Sequence, residues 1–378
     1  MEKRVYLDNA ATTPVKEEVL KAMMPYFGEL YANPSANYPF AKEIMKGVET
    51  ARAQVADLIN GDPSEVFFTS GGTESDNWAI KAVAEKLSSK GKHIITSKIE
   101  HHAVLNTMQW LERKGFDVTY LTPDKDGIVG ITDLENAIRP DTILISIMAA
   151  NNEIGTIQSI EQIGKIAHKH RILFHTDAVQ AFGHIPIDVK KMKIDLLSAS
   201  GHKINGPKGV GVLYAKKGIN IEPFMHGGAQ EHGRRGGTYN VPGIVGMGMA
   251  ANLAKANIVS NHLRERRDYF INRIITEIPM SYINGDVDKR LPNNINVRFD
   301  KIDAESLLVL LGQHGICASV GSACTTGQAE PSHVLMAIGL TREQAHNSLR
   351  ITISEDITIE DIDYSVDKLK ECIVSLRG

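Results

Sequence analysis

Long apolar runs, paired cysteines and a surplus of charge of either sign are all missing from this chain of 378 residues. A bilayer-spanning helix needs about 20 apolar residues in a row, and no stretch supplies them, so no membrane segment is expected. The N-terminus, Met1-Glu2-Lys3-Arg4-Val5-Tyr6, reaches Asp8 without an apolar core, so no secretory leader is expected either. With 42 Lys+Arg against 45 Asp+Glu the formal net charge is −3, which gives no general attraction to nucleic acid or anionic lipid. The local basic clusters, Arg234-Arg235 and Arg264, Arg266 and Arg267, read as part of a Gly-rich loop and a solvated helical face. There are 3 cysteines, Cys317, Cys324 and Cys372, with neither a disulfide pattern nor metal-ligand spacing. That points to a reducing, cytoplasmic setting. His168 with His170, and His226 with His232, lack a third ligand at useful spacing, so no metal site is expected. No Gly-x-Gly-x-x-Gly follows a strand pattern; Gly243, Gly246 and Gly248 fall inside a helical one, which argues against a dinucleotide fold.

What is present is an ordinary globular composition, 42% hydrophobic and 23% charged, in a chain long enough for two domains. Thr13-Pro14 reads as a helix start with proline in the first turn, and Val19, Met23 and Phe27 then share one face. Ile44, Val48, Ala51, Val55 and Leu58 form a second helical stripe. From residue 64 short apolar runs alternate with amphipathic helices. Strands are predicted near 66–69, 93–96, 117–121, 142–148, 172–175, 194–198 and 210–214, with helices near 74–88, 102–114, 132–138 and 160–170. Thr132 with Glu135, and Ser159 with Gln162, have capping-box spacing. This alternation predicts an α/β fold with a mainly parallel sheet covered by helices. A long helical stretch from about 242 to 278, broken near 257–260, marks the domain change. Beyond it the elements shorten into a smaller α+β C-terminal domain. The expected domains are 14–257, and 1–13 together with 258–378.

In an open α/β sheet, ligands sit outside the carboxyl ends of the strands. The predicted strand ends carry unusual polar residues. The first leads into Ser70-Gly71-Gly72-Thr73-Glu74, where glycines opening a helix offer amide donors for a phosphate. Others lead into Glu100-His101-His102, Asn151-Asn152-Glu153, and His175-Thr176-Asp177-Ala178-Val179-Gln180. The last of the set is Ser200-Gly201-His202-Lys203, a lysine on a Gly-flanked turn with Pro207 following. A phosphate cradle, an aromatic ring, a buried acid and a lysine at the ends of one sheet match pyridoxal 5′-phosphate (PLP).

With these motifs the chain resembles the cysteine desulfurases, PLP enzymes of fold-type I on the branch that supplies sulfur for iron–sulfur clusters. The resemblance runs nearly end to end. It is carried by Ser-Gly-Gly-Thr-Glu-Ser at 70–75, Asn-Asn-Glu-Ile-Gly at 151–155 and His-Thr-Asp-Ala-Val-Gln at 175–180. Ser-Gly-His-Lys at 200–203, Gly-Ser-Ala-Cys at 321–324 and Glu-Pro-Ser at 330–332 extend it. The resemblance implies that Lys203 carries the cofactor as a Schiff base, Asp177 pairs with the pyridinium nitrogen and His101 stacks on the ring. It assigns the ring-hydroxyl side to Asn152 and Gln180. The phosphate falls to Thr73, Ser200 and His202 at the Gly72 turn, with Thr238 reaching over from the second subunit of a homodimer. It also implies that Arg350, helped by Asn33, clamps the carboxylate of L-cysteine.

Cys324 is the nucleophile that the resemblance implies, and the small, polar stretch around it reads as a loop, where a reactive thiol belongs. Cys317 and Cys372 read as buried small hydrophobes. The implied reaction gives L-alanine and a persulfide on Cys324, passed to a sulfur acceptor such as an iron–sulfur scaffold protein. Two departures stand out. Asn33-Pro34-Ser35-Ala36-Asn37-Tyr38 lacks the second Ser and the His that the family often shows, and no extension follows Gly378 to dock a scaffold protein. The rival readings are a selenocysteine lyase or another fold-type I PLP enzyme, and, from a different class, a non-catalytic sulfur-relay scaffold.

Overall fold

The computed structural model describes residues 3–258, 260–320 and 330–378. Its main sheet has seven strands. In spatial order they are Val66–Thr69, Gly211–Ala215, Leu196–Ser200, Leu173–Asp177, Thr142–Ser146, His93–Ser97 and Asp117–Leu121. Five of them, from Leu196–Ser200 to Asp117–Leu121, pair in parallel, while Gly211–Ala215 runs antiparallel to both neighbours. Strands His93–Ser97, Thr142–Ser146, Leu196–Ser200 and Gly211–Ala215 are buried along their whole length. That burial is why they read as unbroken apolar runs, and it follows from helices on both faces. Helices Gly72–Leu87 and His102–Glu112 cover one face through Trp78, Ile80, Val83, Val104 and Met108. Pro39–Leu58, Ile160–Lys169 and Val241–Asn257 cover the other through Ile44, Val48, Val55, Ile163 and Met247.

The C-terminal part has its own core. Strands Ser348–Thr352, Asn294–Phe299 and Ser281–Ile283 form an antiparallel sheet. Helices His262–Glu277, Ala304–Gln313 and Ile359–Arg377 pack on it through Phe270, Leu307, Ile362, Val366 and Leu369. The start of the chain joins this part: Val5–Tyr6 pairs in parallel with Ile316–Cys317, and Asp8 bridges Thr352.

The structure corrects several local expectations. The first helix starts at Glu17, not at Pro14, because Thr13 is held by the His202 carbonyl through its hydroxyl at 2.9 Å. Phe27 is 63% exposed, since Met24-Pro25 restarts the helix and breaks the stripe. Neither proposed capping box forms. Gly130, not Thr132, occupies the cap of Ile131–Ala137, and Ser159 lies at φ −78°, ψ 56°, outside the extended region a capping hydroxyl needs. Cys317 is exposed, not buried: in a two-residue strand Ile316 points inward and Cys317 outward. Cys372 is buried.

A buried ion pair fixes the Gly-rich loop after the main sheet. Arg52 donates to Glu231 through two nitrogens, at 2.7 and 2.9 Å, and to the Val66 carbonyl at 2.7 Å. Glu231 also accepts the Phe68 amide at 2.8 Å, and holds a left-handed backbone at φ 47°. Removing one partner leaves an uncompensated buried charge, which costs roughly 3–5 kcal/mol. A Glu231→Ala protein is therefore expected to lose about that much stability, read as a lower denaturant midpoint at unchanged slope.

Candidate active site

The lysine turn is built where strand Leu196–Ser200 leaves the sheet as the 3-10 turn Gly201–Lys203. Gly206 closes it by donating its amide to the Gly201 carbonyl at 3.0 Å. A Cβ at Gly206 would meet that same carbonyl oxygen at 2.7 Å, so only glycine fits. Residues 10–13 wrap over the turn. Thr13 accepts the Asn205 amide at 2.8 Å, and the Lys203 ammonium donates to the Ala11 carbonyl at 2.8 Å and to that of Ala10. Burial, then the nearby charge of Arg350, brings Lys203 down to about 8, against Asp177 and Asp8, which pull the other way. A lysine that gives up its proton this close to neutrality is equipped to act as a nucleophile and base.

Lys203 faces a cavity of about 410 Å³. Gly72, Thr73, Ser200 and His202 line one side of it, and Asp177, His101, Asn152, Gln180 and Arg350 line the rest. Ala10, Ala11, Asp76, Met148 and Val179 complete the wall. Helix Gly72–Leu87 opens on the cavity with its amide end, which favours an anion. His202 is held neutral, its ring lowered to about 4 by burial and by Lys203 and Lys208. Its Nδ1 shares a proton with the Thr12 hydroxyl at 3.1 Å.

Asp177 ends strand Leu173–Asp177 and accepts the Val179 amide at 2.9 Å. Burial raises its carboxyl, while His101, that amide and Lys203 oppose the rise. His101 caps helix His102–Glu112: its Nδ1 accepts the Ala103 amide at 3.1 Å, which leaves the ring proton on Nε2. Burial lowers the ring's pKa, against the pull of Asp177. Gln180 donates to the Ala10 carbonyl at 3.0 Å. Arg350 reaches the cavity from the second sheet, donating to Asp8 at 2.8 Å and to the Asn152 carbonyl at 3.2 Å.

Other expected residues lie elsewhere. Asn33 is exposed, and its side chain accepts the Ser35 amide at 3.0 Å, away from the cavity lining. Thr238 is exposed and borders a separate small cavity with Gly209 and Arg235. Cys324 lies outside the described residues. The segments flanking it are both tied to the site. Ser319 exchanges backbone hydrogen bonds with Arg350, and the Ser332 hydroxyl donates to buried Glu153 at 2.5 Å. Thus the Asn-Asn-Glu and Glu-Pro-Ser motifs, far apart in sequence, meet. Sequence reasoning missed Asp8, which holds Arg350, and Asp76, whose only signal is its place one turn after Gly72-Thr73 on the same helical face.

Glu100 sits buried behind His101. The Ser97 hydroxyl and the Met148 amide donate to one of its oxygens, at 2.5 and 3.0 Å. Burial nevertheless raises Glu100 to about 8, from 4.5. A carboxyl raised by folding stabilises the fold below its unfolded value, and that contribution fades as pH rises toward the folded one, by up to about 1.4 kcal/mol per pH unit. Glu100→Gln, which cannot ionise, is expected to gain stability relative to the parent between pH 5 and 8, then keep a constant difference above. Denaturant midpoints at pH 5, 6.5, 8 and 9 would show it; a difference that does not move with pH would refute it.

The aminotransferase class-V family matches residues 5–364. A cysteine desulfurase IscS of Methanosarcina thermophila is 55% identical over 378 residues, covering all of this chain and 93% of that protein. One from Dictyoglomus turgidum is 51% identical, covering all of this chain and 96% of its own. Among solved structures, a NifS-like protein superposes with a TM-score of 0.92 at 41% identity, covering 99% of this chain and 100% of its own. A structure of SspA in complex with cysteine gives 0.83 at 42% identity, covering 92% and 98%.

Proposed function

This chain belongs to the aminotransferase class-V family and, within it, to the cysteine desulfurases, and on that premise we propose how its own residues remove sulfur from L-cysteine. The observation that carries the assignment of roles is the single cavity that gathers Lys203, Asp177, His101, Arg350 and the amide end of helix Gly72–Leu87. The enzymes of this family use PLP, and the cavity suits it. Its wall at Gly72 is so close that a Cβ there would meet Val179 Cγ2 at 2.5 Å, and Thr73 and Ser200 line the cavity at the amide end of helix Gly72–Leu87, where a phosphate would sit. Asp177 would take the ring nitrogen, and His101, Asn152 and Gln180 the ring. When bound, PLP supplies an electron sink for a carbanion at the substrate Cα.

The chain's own groups do the rest. Arg350, its fork oriented by Asp8 and the Asn152 carbonyl, binds the substrate carboxylate. Lys203, poised near neutrality, takes the Cα proton. His101, whose Nε2 carries its proton, serves first as an acid at the substrate and then as the base for its thiol. Cys324 attacks the substrate sulfur as a thiolate. In the balance the substrate C–S bond breaks with its electron pair going to Cβ, an S–S bond forms on Cys324, Cβ takes up a proton and Lys203 returns one to Cα to give alanine.

The assembly follows the same reasoning. Met24, Phe27 and Tyr31 are 63%, 63% and 73% exposed, with Leu20 and Tyr38 beside them in sequence, an apolar surface suited to a second copy of the chain. A homodimer would also give Thr238 and Asn33 a site to serve, since neither borders the cavity of its own chain. The cluster of Val5 and Leu7 with Phe270, Val297 and Val366 supports domains at 14–257 and at 1–13 with 258–378, and Ile99, Met148 and Ile154 meet Val334, Leu335 and Ile338 across that division. No helix among the described residues is long and apolar enough to cross a membrane. Persulfide from Cys324 would go to a sulfur-acceptor protein in the cytoplasm, an iron–sulfur scaffold or a thiolation partner. Incubation of the PLP-loaded protein with L-cysteine tests the reading. Alanine and sulfur should appear in equal amounts, and a keto acid in place of alanine would refute it.

A further inference from the structure

Beneath the cavity lies a second buried acid that the reaction above does not use. Asp76 sits on helix Gly72–Leu87, 1% exposed, and its Oδ1 has no hydrogen-bond partner among the described residues although the side chain borders the cavity. Its nearest basic group is His175 Nε2, 3.6 Å away. His175 is on strand Leu173–Asp177, two residues before Asp177 and therefore on the same face of the sheet. Both of its ring nitrogens are already engaged, Nδ1 with the Ser146 hydroxyl at 2.9 Å and Nε2 with the Ser198 hydroxyl at 3.0 Å. A neutral imidazole matches this pattern, one serine donating and the other accepting.

Two buried carboxyl groups thus border one cavity with unequal support. Asp177 has the Val179 amide, His101 and Lys203. Asp76 faces neutral His175, the Ser198 hydroxyl, and the acids Asp177 and Glu100. A like charge on a neighbouring buried carboxyl disfavours ionising both. We propose that Asp76 is a positioning residue that stays a neutral carboxylic acid, and that with His175 it forms an uncharged polar floor under the site, leaving Asp177 as its one negative charge. The direction of the shifts agrees: burial and then Asp177 raise the Asp76 carboxyl well above the ordinary range, and burial lowers His175 to about 3. A second anion in the floor would pull the Lys203 proton on more tightly and split the interaction of Asp177 with a ring nitrogen. A neutral acid instead donates one hydrogen bond and adds no field. The assignment rests on the PLP reading for its consequence, but not for the protonation itself.

Infrared difference spectra of the cofactor-free protein test the protonation alone. At pH 7 the parent spectrum minus that of Asp76→Asn should show a protonated-carboxyl C=O band, separate from the one that protonated Glu100 gives in both proteins, and the absence of that difference band would overturn the proposal whether or not PLP binds. Visible spectra of the PLP-loaded proteins test the role. Asp76→Asn, the uncharged isostere, should keep the absorption maximum and titrate within about 0.3 pH unit of the parent. A downward shift of a unit or more would mean that a negative charge had been lost, and would refute it. Asp76→Leu, which cannot hydrogen-bond, should move the maximum and weaken PLP retention about tenfold; a Leu variant identical to the parent would leave Asp76 without a positioning role.

Discussion

A Lys203→Ala protein is expected to retain no covalently attached PLP after borohydride treatment and to desulfurate cysteine at least about 10²–10⁴-fold more slowly, the usual span for removing a positioned acid–base group. The effect should be this large because nothing nearby can substitute. Among the described residues that border the cavity, Lys203 is the sole primary amine. Its carbonyl partners, Ala10 and Ala11, belong to a backbone wrap that positions it without neutralising it. The substitution should not unfold the chain. It removes a charge from a buried place where burial already disfavours that charge, and Gly201, Gly206 and Thr13 hold the turn through backbone contacts. The checks are the bound-cofactor spectrum, mass spectrometry after borohydride reduction, and alanine production. A Lys203→Ala protein that still carries a reducible link would place the lysine elsewhere. Attachment in the parent should also accelerate as pH rises through about 8, where Lys203 loses its proton, well below the range of a free lysine.

The second large effect concerns Cys324. Cys324→Ser is expected to keep its PLP and its colour yet lose sulfur transfer from L-cysteine, with no persulfide recoverable on the protein and turnover down ~10³-fold or more, the scale seen when a nucleophile is removed. A serine hydroxyl stays protonated at neutral pH and cannot take sulfur as a thiolate does. The two variants separate the roles: one fails at the cofactor, the other only at sulfur. Offering L-selenocysteine to the Cys324→Ser protein adds a third arm, because a lyase acting on selenium has less need of the protein thiol. Parent-like desulfuration of cysteine by Cys324→Ser would overturn the assignment. Cys317, though exposed, is a poor substitute, since it lies in the strand paired with Val5–Tyr6.

Much of this was legible from the order of residues. Local chemistry announces a parallel sheet through unbroken apolar runs. The polar groups at strand ends fall where an open sheet gathers ligands, so Gly72-Thr73, His101, Asn152, Asp177 and Ser200-Lys203 group together on sequence alone. Helix caps were less legible. Ser159 has the right neighbours in sequence, but its backbone angles, set by packing around it, prevent the cap. The exposure of Cys317 is not legible in the sequence because a strand of two residues is too short for its alternation to declare which side faces water.

The sequence by itself determined the fold class and the lysine turn and placed the candidate site residues at strand ends, since glycine spacing, strand periodicity and residue type are local properties. Tertiary structure alone decided how the groups support one another. Asp8 meets Arg350 across nearly the whole chain, Ser332 meets Glu153, and Asp76 comes to rest beside His175 behind Asp177. The physical reason is that charge balance depends on distance and burial in three dimensions. A carboxyl in a sequence is only an acid; whether it holds a negative charge, a proton or an arginine is settled by what the fold places within a few ångströms of it.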